Sequence, residues 1–283
     1  MILVTGAKGQ LGGEVCSRLK QTNKAVLGID KDDLDLTDAK AVAAFFAAHA
    51  DIDAVIHCAA YTAVDKAEDD PALCFAVNRD ATETLARRCG DTIKLLYVST
   101  DYVFGTDDDR YHETTDEKHP LSVYGASKSE GEDAVRKHCS RHFIVRTSWV
   151  FGNKDTNFIA TMLRLSETHD TLSVVADQVG SPTDARDLAA LLCEMIGTDA
   201  FGVYHATNEG VCSWYELACE VFRLAGKNVR VLPVTTAQYG AKAKRPLNSR
   251  LSKRSLDDAG FQRLRPWREA VAEYVRSLTE RTQ

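Results

Sequence analysis

No C-x-x-C pair occurs in the chain, although it holds eight cysteines: Cys16, Cys58, Cys74, Cys89, Cys139, Cys193, Cys212 and Cys219 are scattered singly. That spacing argues against a zinc site or a disulfide framework and for reduced, mostly buried thiols. His138 and His142 flank Cys139 at a spacing that would clasp a metal if a helix ran through both. No further ligand cluster joins them, and a polar helix end before a strand at Phe143 is the simpler reading. Basic residues are not in excess, since 35 Lys and Arg face 41 Asp and Glu for a net charge of -6, so no nucleic-acid footprint is present. No run of about eighteen apolar residues could form a membrane span. The opening "MILVTGAKGQLGG" lacks a basic n-region, a long apolar core and a cleavage site, so a cytoplasmic location is expected. Repeats, low-complexity tracts and flexible linkers are missing too, which predicts that any second region packs directly on the first.

What the chain has is length and an ordinary globular composition: 283 residues, 44% hydrophobic and 27% charged, suited to one large or two closely joined domains. Its first half alternates β-rich runs with amphipathic stretches. "ILVT", "AVLGID", "DAVIHC" and "KLLYVS" read as strands, and helices are predicted near 10–20, 38–48 and 71–88. This rhythm argues for βαβ units and a parallel sheet, and the nearly continuous apolar strands predict cover on both faces. A helix follows from near Ser122, then a strand "FIVRTSWV". Beyond it the pattern loosens into helices over 157–166 and 185–196, strands "LSVVA" and "GVYHATN", a helix "WYELACEVFRLAG", a strand "RVLPVT", a basic stretch "AKAKRPLNSR" and a last helix after Pro266.

"TGAKGQLG" places Gly6, Gly9 and Gly12 between an apolar strand and an amphipathic helix. Glycines there let the backbone turn sharply and approach a pyrophosphate, while the helix N-terminus offers N–H donors and partial positive charge. A glycine triplet alone is weak; the strand before it, the helix after it and a second strand ending in Asp30 make it a dinucleotide site. Asp30 would bond the adenosine ribose 2'-hydroxyl and repel a 2'-phosphate, favouring NADH over NADPH, although Lys31 weakens that preference. Its alternative role is a turn residue before "KDD".

Ligands of open parallel sheets bind outside the carboxyl ends of the strands. "AAYTAVDKAE" follows the third strand and "STDYVFG" the fourth, so both face the crevice of the glycine loop. Ala59 and Ala60 are small enough for close backbone approach to a cofactor, and Thr100 either bonds a carbonyl substrate or simply satisfies the strand end. In "YGASK", Tyr124 and Lys128 are four apart on one helix face. A phenol has a pKa of about 10, and bringing it near 7 needs roughly 4 kcal/mol of differential interaction. A neighbouring ammonium and an oxidised nicotinamide both act in that direction. Tyr124 is therefore expected to be the general acid, Lys128 to lower its pKa and hold the nicotinamide ribose, and Thr100 to bond the reacting oxygen.

"TGAKGQLG", "STDYVFG" and "YGASK", in this order, resemble the extended short-chain dehydrogenase/reductase superfamily. More closely, "PLSVYGASKSEGE", "RTSWVFG", "NFIATMLRL", "DQVGSPT", "GVYHATN" and "RPLNSRL" resemble its dTDP-4-dehydrorhamnose reductase family over most of the chain. The resemblance implies a Rossmann-type doubly wound parallel α/β sheet with a smaller, interleaved C-terminal α/β substrate domain. The dinucleotide domain would take residues 1–153 and about 184–208, the substrate domain about 154–183 and 209–283. It also implies that Gly9, Gln10, Leu11, Asp30, Ala59, Ala60, Tyr61, Tyr124 and Lys128 contact NADH or NADPH, and that Asn78 organises the site. Thr62, Val64, Thr100 and Trp149 would surround the sugar, while Arg245, Asn248 and Arg250 would hold the diphosphate, whose charge needs cations in an acidic protein. Without a ligand that basic stretch would be a solvated loop.

Sugar-nucleotide dehydratases of the superfamily carry "TDE", a carboxylate pair for elimination; here Asp101 is followed by Tyr102. Reduction of a 4-ketone needs only a hydride and one proton. The expected activity is thus NAD(P)H-dependent reduction of dTDP-4-dehydro-L-rhamnose to dTDP-L-rhamnose, a polysaccharide precursor, by a monomer or homodimer. Some family members use magnesium at glutamates of a subunit contact. Glu14 matches one of those positions but Arg186 stands at another, so magnesium is not supported, and Glu14 reads as an exposed first-turn carboxylate. Two other classes compete: a non-catalytic subunit like the regulatory subunit of methionine adenosyltransferase, and an epimerase or reductase for another nucleotide sugar.

Overall fold

Every strand of the central sheet runs parallel, as expected of βαβ units. In the computed structural model, which describes residues 1–154 and 156–281, the order is β2-β1-β3-β4-β5-β10. Asp155, Thr282 and Gln283, included in the expected substrate region, lie outside the described residues. The chain enters through β1 (Ile2–Thr5), α1 (Gln10–Gln21), β2 (Val26–Ile29), α2 (Ala39–Ala48) and β3 (Ala54–His57). Because β2 lies on one side of β1 and β3 on the other, the strand order reverses there and opens a crevice at the carboxyl ends of β1 and β3.

The helix expected over 71–88 is not continuous. Short α3 (Val64–Ala67) precedes α4 (Pro71–Phe75), where Pro71 takes the first helical position and Asp70 caps by accepting the Leu73 amide. A π turn over Ala76–Asp80 then leads into α5 (Ala81–Cys89). Such widened turns inside a helix often mark functional sites, and this one carries Asn78. Next come β4 (Lys94–Thr100) and α6 (Val123–His138), whose Ser122 cap accepts the Gly125 amide.

The expected strand "FIVRTSWV" is also two pieces: β5 (His142–Thr147) stays in the main sheet, whereas β6 (Val150–Phe151) leaves it. Trp149 causes the break with φ at 49°, a left-handed conformation that costs a bulky residue energy and is kept only where surroundings enforce it. The remainder comprises α7 (Phe158–Leu165), β7 (Thr171–Val175), β8 (Val179–Gly180), β9 (Thr183–Asp184), α8 (Ala185–Met195), β10 (Gly202–His205), β11 (Cys212–Ser213), α9 (Trp214–Ala225), β12 (Arg230–Val234), α10 (Thr236–Tyr239), α11 (Arg254–Asp258) and α12 (Trp267–Arg281). The pairs β6–β9 and β7–β12 are parallel and β8–β11 is antiparallel.

One face of the sheet packs on α1 and α8 through Val15, Leu19, Leu188, Leu192 and Met195. The other packs on α2, α5 and α6 through Val42, Phe46, Leu85 and Val135. A separate core joins α7, α9 and α12 through Ile159, Met162, Leu217, Phe222, Val271 and Tyr274. We propose that this third core is the substrate domain. Leu256, Phe261 and Leu264 pack instead into the sheet core, so the interleaving exceeds the expected boundaries. No described helix is long and apolar enough to cross a membrane.

A buried ion pair ties α6 to the sheet. Arg146 of β5 donates from Nε and Nη2 to both carboxylate oxygens of Glu132, at 2.9 and 2.7 Å, and Ser99 of β4 donates to Glu132 Oε1 at 2.6 Å. Both charged side chains are almost wholly excluded from solvent. Removing one partner leaves the other charge buried and alone, which costs about 3–5 kcal/mol. Arg146→Met should lower the urea midpoint accordingly, whereas the double variant Glu132→Leu/Arg146→Met should recover part of the loss. Urea titrations followed by circular dichroism check this; equal losses in both variants would show that the orphaned charge is not the cause.

Candidate active site

The cleft at the carboxyl ends of β1, β3 and β4 encloses about 920 Å³. At its floor β1 ends in the glycine loop. Gly6 has φ at 68°, and a Cβ on Gly12 would collide with the Gly6 carbonyl oxygen, so both positions demand glycine. Gly9 caps α1 without a side-chain hydrogen bond, which leaves first-turn amides available to an anion. Gln10 and Leu11 of the same turn also line the cleft. Asp30 lies at its edge within a turn: the carboxylate accepts from the Lys8 and Lys31 amides, each at 2.9 Å, and its own amide donates to Asp33. The Lys8 ammonium is held by Asp32 at 2.8 Å.

Ala59, Ala60, Tyr61, Thr62 and Val64 follow β3 along the wall. Asn78 fixes this segment, accepting from the Tyr61 amide at 2.8 Å and donating to the Tyr61 carbonyl at 3.1 Å and to Ser127 Oγ of α6 at 3.0 Å. The π turn thus links the β3 loop to α6. Beneath it His57 lies between Thr5 and Thr82, with Nδ1 at 2.7 Å and Nε2 at 3.1 Å from their hydroxyls. Since Thr82 donates to the Asn78 carbonyl, the ring must donate from Nε2 and accept at Nδ1. Burial pushes this imidazole down to about 3, keeping it neutral.

Tyr124 and Lys128 both face the cleft from α6. A Cβ at Gly125, between them, would collide with the Tyr102 carbonyl, so the glycine allows the helix to approach the turn after β4. Lys128 Nζ donates to the Val98 carbonyl at 2.7 Å and stands 4.0 Å from the centre of the Tyr97 ring. Burial pushes its ammonium down to about 7, although Glu132, one turn on, favours the charge. Burial also raises Tyr124 well above the usual phenol range. The Thr100 hydroxyl opposes that rise and the Asp101 carboxylate adds to it. The expected lowering of the phenol is therefore not achieved by the protein alone, because desolvation outweighs its neighbours.

Thr100 and Trp149 also reach the cleft; Arg245, Asn248 and Arg250 do not line it. Arg245 forms a two-pronged pair with Asp65, at 2.7 and 3.2 Å. Asn248 is buried and joins two loops, donating to Asp108 and the Arg110 carbonyl of one and accepting from the Arg250 amide and guanidinium of its own. Its amide is spent on structure, and Arg250 points back onto it. Glu14 accepts from Asn153, and the Arg186 guanidinium lies between Asp184 and Glu273. His138 meets Glu83 while the His142 ring bonds the Cys139 carbonyl, because α6 ends between the two histidines.

Further residues join the lining. Leu34, Leu36 and Thr37 follow β2, and Tyr102 meets Tyr124 edge to face with ring centres 5.5 Å apart. Trp214, at the start of α9, stacks on Trp149 at 3.7 Å and 15°. Nothing local marks Trp214, since its partner is far away in sequence.

The chain matches the family model described as "RmlD substrate binding domain" over residues 1–280. It is 41% identical to a dTDP-4-dehydrorhamnose reductase of Streptomyces griseus, covering 99% of this chain and 94% of that one. It is 39% identical to the spore coat polysaccharide biosynthesis protein SpsK of Bacillus subtilis (97% and 96% covered). A probable dTDP-4,6-dihydroxy-2-methyloxan-3-one 4-ketoreductase of Streptomyces antibioticus is 38% identical, with 96% and 93% covered. Among solved structures, a dTDP-4-dehydrorhamnose reductase of Clostridium acetobutylicum superposes with TM-score 0.94 at 41% identity, covering 98% and 99% of the chains. The Bacillus anthracis enzyme in complex with NADP superposes with TM-score 0.93 at 38% identity, covering 96% and 97%. A Thermus thermophilus UDP-glucose 4-epimerase, 21% identical with TM-score 0.79 and 97% of each chain covered, shares the fold. With near-complete coverage at about 40% identity, and its glycine loop and Tyr124–Lys128 pair meeting in one cleft, the chain belongs to the dTDP-4-dehydrorhamnose reductase family.

Proposed function

We propose that this chain is an NAD(P)H-dependent reductase converting the 4-keto group of dTDP-4-dehydro-L-rhamnose to the hydroxyl of dTDP-L-rhamnose. The observation that carries the reading is the convergence of Thr100, Tyr124 and Lys128 on the cleft that holds the glycine loop. The dinucleotide fits the residues present: the loop is stripped of side chains where Gly6 meets Gly12, and the α1 amides are uncapped. When bound, the reduced nicotinamide supplies the hydride. Gly9, Gln10 and Leu11 hold the pyrophosphate, and Ala59, Ala60 and Tyr61 give the cofactor a close wall.

Tyr124 gives its proton to the carbonyl oxygen, and its burial suits that direction because the phenol stays protonated until the oxygen develops charge. Thr100 bonds the same oxygen. Lys128, anchored at Val98, holds the nicotinamide ribose. Thr62, Val64 and Trp149 surround the sugar, with Trp214 backing Trp149. Arg245 would exchange Asp65 for the substrate diphosphate, an anion-for-anion swap. The enzyme works in the cytoplasm as a monomer or homodimer.

The ketoreductase relative supports a second reading, in which another dTDP-keto sugar is the substrate. The set of Thr100, Tyr124 and Lys128 weighs against a non-catalytic regulatory subunit. Loss of reduced-nicotinamide absorbance with dTDP-4-dehydro-L-rhamnose, and identification of dTDP-L-rhamnose as product, tests the first reading. Oxidation only with a different dTDP-keto sugar would favour the second.

Tyr124→Phe should keep dinucleotide binding and lower kcat by about 10²- to 10⁴-fold, the usual contribution of a general acid. Rapid-mix assays with a parallel dinucleotide titration read both quantities; full turnover in the variant would remove Tyr124 from the chemistry. For the cofactor we propose a preference for NADH with NADPH accepted, because Asp30 and Asp35 line the cleft while the nearby Lys8 is paired with Asp32. Asp30→Ala should shift the kcat/KM ratio toward NADPH by about tenfold, equivalent to ~1.4 kcal/mol. Initial rates with both cofactors measure the shift, and an unchanged ratio would confine Asp30 to its turn.

A further inference from the structure

Trp149 lines the cleft from a left-handed backbone, and nothing polar holds its ring: the indole N–H makes no hydrogen bond among the described residues. Its place therefore depends on the surfaces it lies against. One is Gly180 of β8, where a Cβ would stand 3.0 Å from Trp149 Cε2 and Cζ2, so the bare glycine leaves the ring its room. The other is Trp214, stacked at 3.7 Å and 15°. Aromatic pairs of this kind hold a specific geometry.

Trp214 is itself held from several directions. It is the first residue of α9 and follows Ser213, whose capping box with Glu216 fixes the start of that helix. Phe158 of α7 lies against it, with ring centres 4.7 Å apart. Its indole N–H donates to Gln178 Oε1 at 3.2 Å. Gln178 is 5% exposed, and its Nε2 donates to Thr236 Oγ1 at 3.0 Å. The Thr236 hydroxyl donates in turn to Asp177 Oδ1 at 2.7 Å, and the Thr236 amide donates to the same carboxylate at 2.9 Å. Because an indole N–H can only donate, the Gln178 oxygen must face Trp214 and its nitrogen must face Thr236. Only one orientation of the amide satisfies both neighbours. Thr236 opens α10, and the chain beyond it reaches Arg245. Gln178 thereby ties the aromatic wall of the sugar subsite to the segment that leads to the expected diphosphate ligand.

We propose that Gln178 and Trp214 are positioning residues: by holding the Trp149 indole they set the depth and angle at which the keto sugar meets the nicotinamide. This rests on the reductase reading above. Hydride transfer needs reacting atoms about 3–3.5 Å apart, and a displacement of about 1 Å can cost 10²-fold in rate. Gln178 does not line the cleft, so its influence on the reaction passes through the Trp214 indole.

A single turnover of enzyme-bound NADH at saturating dTDP-4-dehydro-L-rhamnose, followed by rapid-mix absorbance, tests this, because loss of folded protein lowers the amplitude but leaves the rate unchanged. Gln178→Leu removes both hydrogen bonds at nearly constant size; it should slow the rate about tenfold and keep the dinucleotide Kd within about twofold. Trp214→Phe keeps a flat ring but has no N–H for Gln178, and should lose a similar factor, whereas Trp214→Leu should lose about a hundredfold. Adding Gln178→Leu to Trp214→Phe should then slow the reaction by less than about twofold more, since the two act as one unit. A wild-type rate in Gln178→Leu, at full or reduced amplitude, would overturn the proposal. So would losses that multiply in the double variant, or a loss of rate matched by weaker dinucleotide binding. No turnover by the wild type removes the reductase reading and this proposal with it; normal wild-type turnover beside an unaffected Gln178→Leu enzyme removes only the positioning roles.

Discussion

The pairing of Glu132 with Arg146 holds the site together because it fixes the helix on which the chemistry depends. Tyr124, Lys128 and Glu132 recur every four residues, so they share one face of α6, and whatever anchors the third sets the depth and rotation of the other two. The anchor sits where β4 and β5 run side by side, with Ser99 of β4 completing the carboxylate's hydrogen bonds. Water is excluded there, so the pair gains little net stability over an apolar core and instead selects one geometry. Its proximity to the cleft also helps to keep Lys128 charged against its burial.

Around that anchor, polar contacts replace flexibility. Asn78 locks the backbone of Tyr61 from both sides, and the π turn that carries it brings the same amide to Ser127 of α6. His57 remains neutral between two hydroxyls and passes the constraint from β1 to α5. These groups make the cleft floor rigid before any ligand enters, which preserves binding energy for the substrate. Arg245 differs, since Asp65, its ion-pair partner, is about half open to solvent.

Desolvation governs the electrostatics of the site. It raises Tyr124 and Asp101 and lowers Lys128 and His57, in each case disfavouring charge. A pocket of this kind holds its protons on acids and waits for the ligand's charges to alter the balance. The expected lowering of Tyr124 by Lys128 and an oxidised nicotinamide left this desolvation out, because a motif shows which residues are neighbours but not how much water surrounds them.

The amino-acid sequence by itself determined the parallel sheet, the glycine loop and the Tyr124–Lys128 pair, because each rests on local periodicity: strand runs between amphipathic stretches, glycines where backbone must approach backbone, and a four-residue helical repeat. The tertiary structure alone decided the break at Trp149, the stack with Trp214, the π turn around Asn78 and the docking of Asn248 onto the loop that holds Asp108 and Arg110. Each of those depends on contacts between distant segments. Trp149 accepts a left-handed backbone where its carbonyl bonds the Thr183 amide and its ring stacks on Trp214. Asn248 turns inward because Asp108 and Arg110 meet it across a loop. Spacing along the chain encodes none of these meetings; packing does, by deciding which polar groups lose water and must find a partner within the protein.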